Sequence, residues 1–145
     1  MQRKKWFIAV TAIVLLMAAY FVFGFVRGVS CYNRGAAFMA KGAYDRAIAC
    51  FDKALRIEPG FAEAYCNRGT AYCEKGQYDL AISDFSRAIE IDPGFAEAYY
   101  NRAVVYCDKQ EYDRARQDAQ KAQSLGHQVS PEFLKALQET SERQK

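Results

Sequence analysis

Two different hydrophobic patterns divide the chain. From Trp6 to Val26 no residue is charged and most are apolar, with Arg3, Lys4 and Lys5 ahead of the run and Arg27 closing it. A helix needs about 20 such residues, each rising about 1.5 Å, to cross the apolar core of a bilayer. The run has that length. Trp6 at one end and Tyr20 in the other half are aromatics of the kind that settle at a membrane interface. The predicted element is an uncleaved transmembrane anchor, with its basic flank, over residues 1–27. Three other readings compete with it. A cleavable signal peptide wants a shorter apolar core and a small-residue cleavage site, whereas bulky residues, Phe21 to Val26, end this one. Val29-Ser30-Cys31 faintly resembles the end of a lipoprotein signal, but Gly28 stands where a branched apolar residue is usual. A buried core helix of a small domain is rarely apolar on every face.

Beyond Gly28 the pattern alternates apolar and charged residues, and it repeats. Pro59-Gly60-Phe61-Ala62-Glu63-Ala64-Tyr65 returns unchanged as Pro93-Gly94-Phe95-Ala96-Glu97-Ala98-Tyr99, one 34-residue step later. Asn33-Arg34-Gly35, Asn67-Arg68-Gly69 and Asn101-Arg102-Ala103 keep the same step. So do Tyr44-Asp45, Tyr78-Asp79 and Tyr112-Asp113, and the alanines Ala47, Ala81 and Ala115. The units run over 28–61, 62–95 and 96–129. In the second, Ala64, Tyr65, Ala71 and Tyr72 share one side of a helix near 62–75. A break at Gly76-Gln77 follows, then Ala81, Ile82, Phe85, Ala88 and Ile89 at helical spacing. Pro93-Gly94 ends that helix, since Pro cannot continue it and Gly accepts the turn. Gly35, Gly69 and Ala103 predict a close helix–helix approach, with Ala47, Ala81 and Ala115 small on the other side. Phe38, Tyr72 and Tyr106 are expected to fill the volume between. One such hairpin cannot bury its apolar face alone, whereas a stack of about three can.

These residues resemble the tetratricopeptide repeat family over about 28–129. The likeness rests on the 34-residue period, Gly35/Gly69, Phe38/Tyr72/Tyr106, Ala47/Ala81/Ala115, Ala54/Ala88/Ala122 and Pro59/Pro93. The third unit departs from it, with Ala119 in place of Phe51 and Phe85, Gln110 in place of Gly42 and Gly76, and His127 in place of the proline. A final helix from Ser130-Pro131, with Ser as N-cap and Pro at the first helical position, would cover the open end with Phe133, Leu134 and Leu137. Residues 130–145 thus form a capping helix and a polar tail, Glu139 to Lys145, expected to fray. The fold implied is all-α: an N-terminal transmembrane helix, a three-repeat α-solenoid and a C-terminal capping helix.

The resemblance implies a concave groove that binds a peptide or protein. Carried onto this chain, its lining is Tyr32, Asn33, Ala36 and Met39 in the first unit and Cys66, Asn67, Thr70, Cys73 and Glu74 in the second. The third contributes Tyr100, Asn101, Val104, Cys107 and Asp108. The family's clamp for a carboxylate tail needs basic and amide residues at Tyr32, Ala36, Glu97 and Asn101, and only Asn67 fits it. Such a tail is therefore not the expected partner. The asparagines at 33, 67 and 101 form a ladder that either meets a ligand backbone or satisfies local groups.

Charge and composition change this picture little. The net charge of +3 comes from the N-terminal flank, because sixteen Lys/Arg face seventeen Asp/Glu from Gly28 on. No basic stripe exists to bind nucleic acid. A single histidine, His127, rules out His-dependent triads and multi-His metal sites and is expected on the surface. No Gly-rich phosphate loop occurs, so neither enzyme activity, cofactor nor metal is expected. Cys31, Cys50, Cys66, Cys73 and Cys107 form no Cys-x-x-Cys pair. An odd set of thiols suits a reducing compartment, yet the basic amino terminus tends to stay in the cytoplasm and send the repeats across. The charge flanks act directly on insertion, so the expected topology places the repeats on the extracytoplasmic side of a single-pass protein. The functional expectation is a membrane-tethered scaffold. The alternative is a structural subunit of a membrane complex, in which the repeats or the anchor, with its Gly24-x-x-x-Gly28 spacing, only mediate assembly.

Overall fold

A computed structural model describes residues 2–143, with side chains for 10–140 except Phe21 and Phe25, and for Glu142. The expected interfacial role of Trp6, and the side chains of Arg3, Lys4 and Lys5, lie outside the described residues, as do Gln144 and Lys145. Seven helices and no strand occur among the described residues: α1 Gln2–Met39, α2 Tyr44–Ile57, α3 Ala62–Glu74, α4 Tyr78–Ile91, α5 Ala96–Asp108, α6 Tyr112–Ser124 and α7 Pro131–Arg143.

The apolar run and the first repeat helix are one element. α1 spans 38 residues, about 57 Å at the usual rise, because nothing between Val26 and Ser30 breaks the helix. Gly28 is tolerated there, and its side faces α2: a Cβ on it would touch Ile57 Cγ2 at 3.4 Å. The segment Val10–Met39 belongs to one helix long and apolar enough to cross a membrane. Ile13, Val14, Leu15, Leu16, Met17, Tyr20, Val22 and Phe23 are all exposed on it.

From Gly28 on, helices pair as α1–α2, α3–α4 and α5–α6, and each hairpin stacks on the next. The first helices also meet one another, α1 with α3 and α3 with α5, which lines them up along one face. Apolar residues at helical spacing explain the pairing: α2 buries Ala47, Cys50, Phe51, Ala54 and Leu55. The core is shared between units. Ala98 and Val105 of the third unit complete the cluster around Phe85 and Ala88 of the second, so no hairpin closes its own core.

The close approach at the glycines is made by a different aromatic from the one expected. A Cβ on Gly35 would stand 2.5 Å from Phe51 Cε1, and one on Gly69 would stand 2.8 Å from Phe85 Cε1. Phe51 and Phe85, fully buried on the second helix of each unit, therefore fill the space between paired helices. Phe38, Tyr72 and Tyr106 are only half-buried. In the third unit both partners change together: Ala103 stands where the glycine was, and Ala119, fully buried, where the phenylalanine was.

Turns follow local chemistry. The Gly60 and Gly94 N–H groups donate to the Glu58 and Asp92 carboxylates, at 3.2 and 2.9 Å, which closes the Pro-Gly turns between units. Gly42 and Gly76 take φ of +66° and +69° between paired helices, and Gln110 adopts +60° at the same place in the third unit. α7 begins with the Phe133 N–H donating to Ser130 Oγ at 3.1 Å. Its Leu137, Phe133 and Leu134 join the cluster of Ala103, Ala115 and Ala119. The polar stretch from Glu139, expected to fray, continues this helix to Arg143.

Candidate functional site: the face of the first helices

Because α1, α3 and α5 line up, their residues one repeat apart become neighbours. Asn67 Nδ2 donates to Tyr32 Oη at 2.9 Å, and Asn101 Nδ2 reaches Cys66 Sγ at 3.7 Å. Each link joins a residue to the one 35 places earlier, so the amide ladder ties successive units together. Asn33, the first rung, is exposed.

A hollow of about 450 Å³ opens between the second and third units. Thr70, Cys73 and Glu74 line it from α3, and Tyr100, Asn101, Val104 and Asp108 from α5, with Tyr78, Phe85 and Val105 at its base. The first unit contributes nothing to it. Tyr32 packs its ring 4.7 Å from Phe61 and 5.9 Å from Phe51. Ala36 and Met39 are half-buried on α1, and Cys107 on α5. Cys66 is only 1% exposed, part of the core rather than of an open surface. Tyr100 is steadied from the capped end, with His127 at 4.5 Å and Phe133 edge-on at 6.2 Å. His127, expected to be a surface residue, is thus half-buried against a ring of the candidate groove.

This face is acidic. Glu74 and Asp108 line the hollow, Glu63 and Glu97 act electrostatically on Tyr32 and Cys66, and all four are exposed. The fourteen candidate residues include no Lys or Arg. Burial, and then the Glu97 charge, pushes the Cys66 thiol up to about 12. Burial, with Asp108 and Glu74, pushes Cys73 up to about 12 as well, and Cys107 is raised by burial and Asp108. A thiol becomes a nucleophile or metal ligand as its thiolate, so these three are held in the inert form. Among the described residues no three His, Cys, Asp or Glu side chains gather as metal ligands would.

The arginines of the repeated Asn-Arg motif have a role that the sequence reading did not assign. Arg68 binds Asp84 through two bonds of 2.8 Å and Asp52 of the preceding unit at 2.5 Å. Arg102 binds Asp118 at 2.6 and 2.9 Å and Ser86 of the preceding unit at 2.9 Å. Each guanidinium also lies over two tyrosines, Tyr65 and Tyr72 for Arg68, Tyr99 and Tyr106 for Arg102. The signal was an acid sixteen residues after each arginine, present in the second and third units but replaced by Cys50 in the first.

Stacked antiparallel hairpins with shared cores and a face made of their first helices define an α-solenoid. A family model for the TPR repeat matches residues 35–73 and 69–110, and another for the tetratricopeptide repeat matches 96–125. The chain belongs to the tetratricopeptide repeat family. No curated protein sequence matches it. Among solved structures, the first TPR of Spaghetti (RPAP3), bound to the HSP90 peptide SRMEEVD, is similar with a TM-score of 0.74. It is 23% identical, and the match covers 82% of this chain and 94% of that one. The second TPR domain of human RPAP3, in complex with the HSP70 peptide SGPTIEEVD, gives 0.73 at 25% identity, covering 79% and 98%. The Sgt2 TPR domain from Aspergillus fumigatus gives 0.70 at 26%, covering 80% and 78%.

Proposed function

We propose that this protein is a membrane-tethered scaffold that holds a peptide or protein partner against the face of α3 and α5. The observation carrying this reading is the hollow shared by two successive units, lined by Thr70, Glu74, Tyr100, Asn101, Val104 and Asp108. Similar repeat domains are bound to HSP90 and HSP70 peptides, and tetratricopeptide proteins are in general adaptors without enzymatic activity. The groove of this chain, built on the seven of its fourteen sequence-read positions that line this hollow, takes an uncharged or basic segment. The peptides SRMEEVD and SGPTIEEVD end in acids, whereas Glu63, Glu74, Glu97 and Asp108 would repel such a tail, and like charges brought together in an interface oppose binding.

Tethering is proposed on the length and exposure of the apolar part of α1. Placing the amino terminus in the cytoplasm and the repeats outside follows Arg3, Lys4 and Lys5 ahead of the apolar run, against Arg27, Arg34 and Lys41 after it. The raised thiols of Cys66, Cys73 and Cys107 are compatible with it, since a protonated thiol resists oxidation. A short groove binds an isolated peptide at about micromolar to millimolar Kd, and sharing a bilayer with the partner raises the effective concentration.

Fluorescence anisotropy on the full chain in detergent micelles tests the groove. A lysine-containing decapeptide is expected to bind more tightly than its glutamate counterpart, and Glu74→Lys with Asp108→Lys is expected to invert that order. If the inversion fails while Arg87→Glu on α4 releases the partner recovered by crosslinking, the groove reading falls and an assembly role replaces it. Ser83→Cys, on an exposed site, tests sidedness by labelling intact cells with an impermeant maleimide. Labelling only after membrane rupture overturns the proposed orientation.

A further inference from the structure

α2 runs back along α1, so its C-terminal end returns to the place where the uncharged run stops. There a hollow of about 400 Å³ lies between the two helices, lined by Tyr20, Phe23, Arg27, Arg56 and Ile57 with Gly24 and Glu58. Its composition is layered. Tyr20, Phe23 and Ile57 make an apolar wall, and two guanidinium groups stand on the rim. Gly24 leaves the wall open, with no atom within 4 Å of where its Cβ would be. Arg27 lies 5.6 Å over the Phe23 ring, which orients it without using its N–H donors. Neither Arg27 nor Arg56 enters an ion pair among the described residues. Glu58 also lines the hollow, and one of its carboxylate oxygens accepts from the Gly60 N–H at 3.2 Å.

Charge is segregated along the stack in the same sense. Arg27 and residues 28–61 carry six Lys/Arg against three Asp/Glu, whereas residues 62–95 carry three against six. The basic unit is the one fused to the apolar helix, and the acidic unit is the next one out. Because the uncharged run ends at Val26, a bilayer spanned by α1 would place this hollow at headgroup depth, with its apolar wall toward the acyl chains.

We propose that the hollow binds an anionic phospholipid, with the headgroup phosphate between Arg27 and Arg56 and the glycerol and upper acyl chain against Tyr20, Phe23 and Ile57. Guanidinium groups give phosphate directional, multi-donor binding, and Arg27 and Arg56 would draw anionic lipid from whichever leaflet the repeats face. Occupancy would clamp α2 to α1 at the surface and fix the first unit relative to the membrane. This inference rests on the proposed membrane span.

Native mass spectrometry of the full chain in detergent micelles provides the test, with phosphatidylglycerol and phosphatidylcholine of identical acyl chains as probes. Phosphatidylglycerol is expected to be retained preferentially, and Arg27→Gln with Arg56→Gln is expected to reduce that retention about tenfold or more. Gly24→Leu, which fills the hollow without touching a charge, is expected to abolish the preference as well. Lys41→Gln with Arg46→Gln removes the same charge at the opposite end of the first hairpin and is expected to leave the preference intact. Equal retention of the two lipids, an undiminished preference in the Arg27/Arg56 variant, or an equal loss in the Lys41/Arg46 variant overturns the inference. So does competition by glycerol 3-phosphate, which lacks acyl chains and would mark the site as one for phosphate alone. Extraction by alkaline carbonate separates the two levels. A chain extracted from membranes refutes the span itself, whereas a retained chain without lipid preference refutes only the site.

Discussion

At the scale of single residues, the third repeat shows how one substitution licenses another. Gly69 is small because the Phe85 ring, fully buried, occupies the space its Cβ would need. Gly69→Ala is therefore expected to destabilise the protein by about 1–3 kcal/mol, since a ring packed on all sides cannot withdraw. Thermal unfolding followed by circular dichroism would register the loss. Ala103 carries that same methyl without penalty because Ala119 replaces the ring. Gln110 is the opposite case, a departure with no compensation. It holds φ of +60° where Gly42 and Gly76 stand in the other units, and a non-glycine residue there costs about 1–2 kcal/mol. Gln110→Gly is expected to raise stability by about 1 kcal/mol, after the greater freedom of glycine in the unfolded chain is set against the relieved strain. A lower melting temperature for that variant would show that the side chain of Gln110 contributes more than its backbone costs.

At the scale of elements, apolar packing is joined by three repeated sets of polar links. These are the amide ladder between units, the Arg–Asp pairs within a hairpin and the Lys–Asp pairs between hairpins, of which the last two differ in depth. Arg68 and Asp84 are 19% and 8% exposed and bonded in bidentate fashion. Removing one partner leaves the other charge partly buried, so Asp84→Ala is expected to cost about 3 kcal/mol. Lys75 also pairs with Asp45, and Lys109 with Asp79, across the same interval of 30 residues, but Asp45 and Asp79 are 84% and 87% exposed. Solvent screens such pairs, and Asp45→Ala is expected to cost less than about 1 kcal/mol. Urea unfolding of the two variants gives the comparison directly. Equal losses would mean that burial does not distinguish the two sets of pairs. The recurrence of Arg34, Arg68 and Arg102 was visible in the sequence, but their partners were not, because an Arg–Asp contact between two helices and a third from the preceding unit requires the stacking to be known.

At the scale of the whole molecule, the proposed anchor and the repeat array share α1, so the orientation of the first unit follows that of the apolar helix. Nothing flexible separates them: residues 2–39 are helical throughout. On the proposed reading, the full chain is expected to stay with membranes in alkaline carbonate, while a chain beginning at Gly28 remains in the soluble fraction with the helical content of its hairpins. Recovery of the full chain in the soluble fraction would remove the membrane from the picture and leave the repeat array intact.

The 34-residue period, the helix pairs and the turns at Pro59-Gly60 and Pro93-Gly94 could be read from the sequence because they depend on local chemistry. Helical spacing of apolar residues, proline's missing N–H and glycine's left-handed freedom act within a few residues of one another. The family resemblance converted that local regularity into a candidate face, and α3 and α5 do bring Thr70, Glu74, Tyr100, Asn101, Val104 and Asp108 around one hollow. What only the tertiary structure decided were the contacts between segments distant in sequence. It placed Phe51 and Phe85, rather than Phe38 and Tyr72, against the glycines, closed Cys66 inside the core, and turned Asn67 toward Tyr32. It also brought Arg56 back beside Arg27. These depend on how helices cross and stack, a geometry set by the summed packing of all three units, which no single position in the sequence encodes.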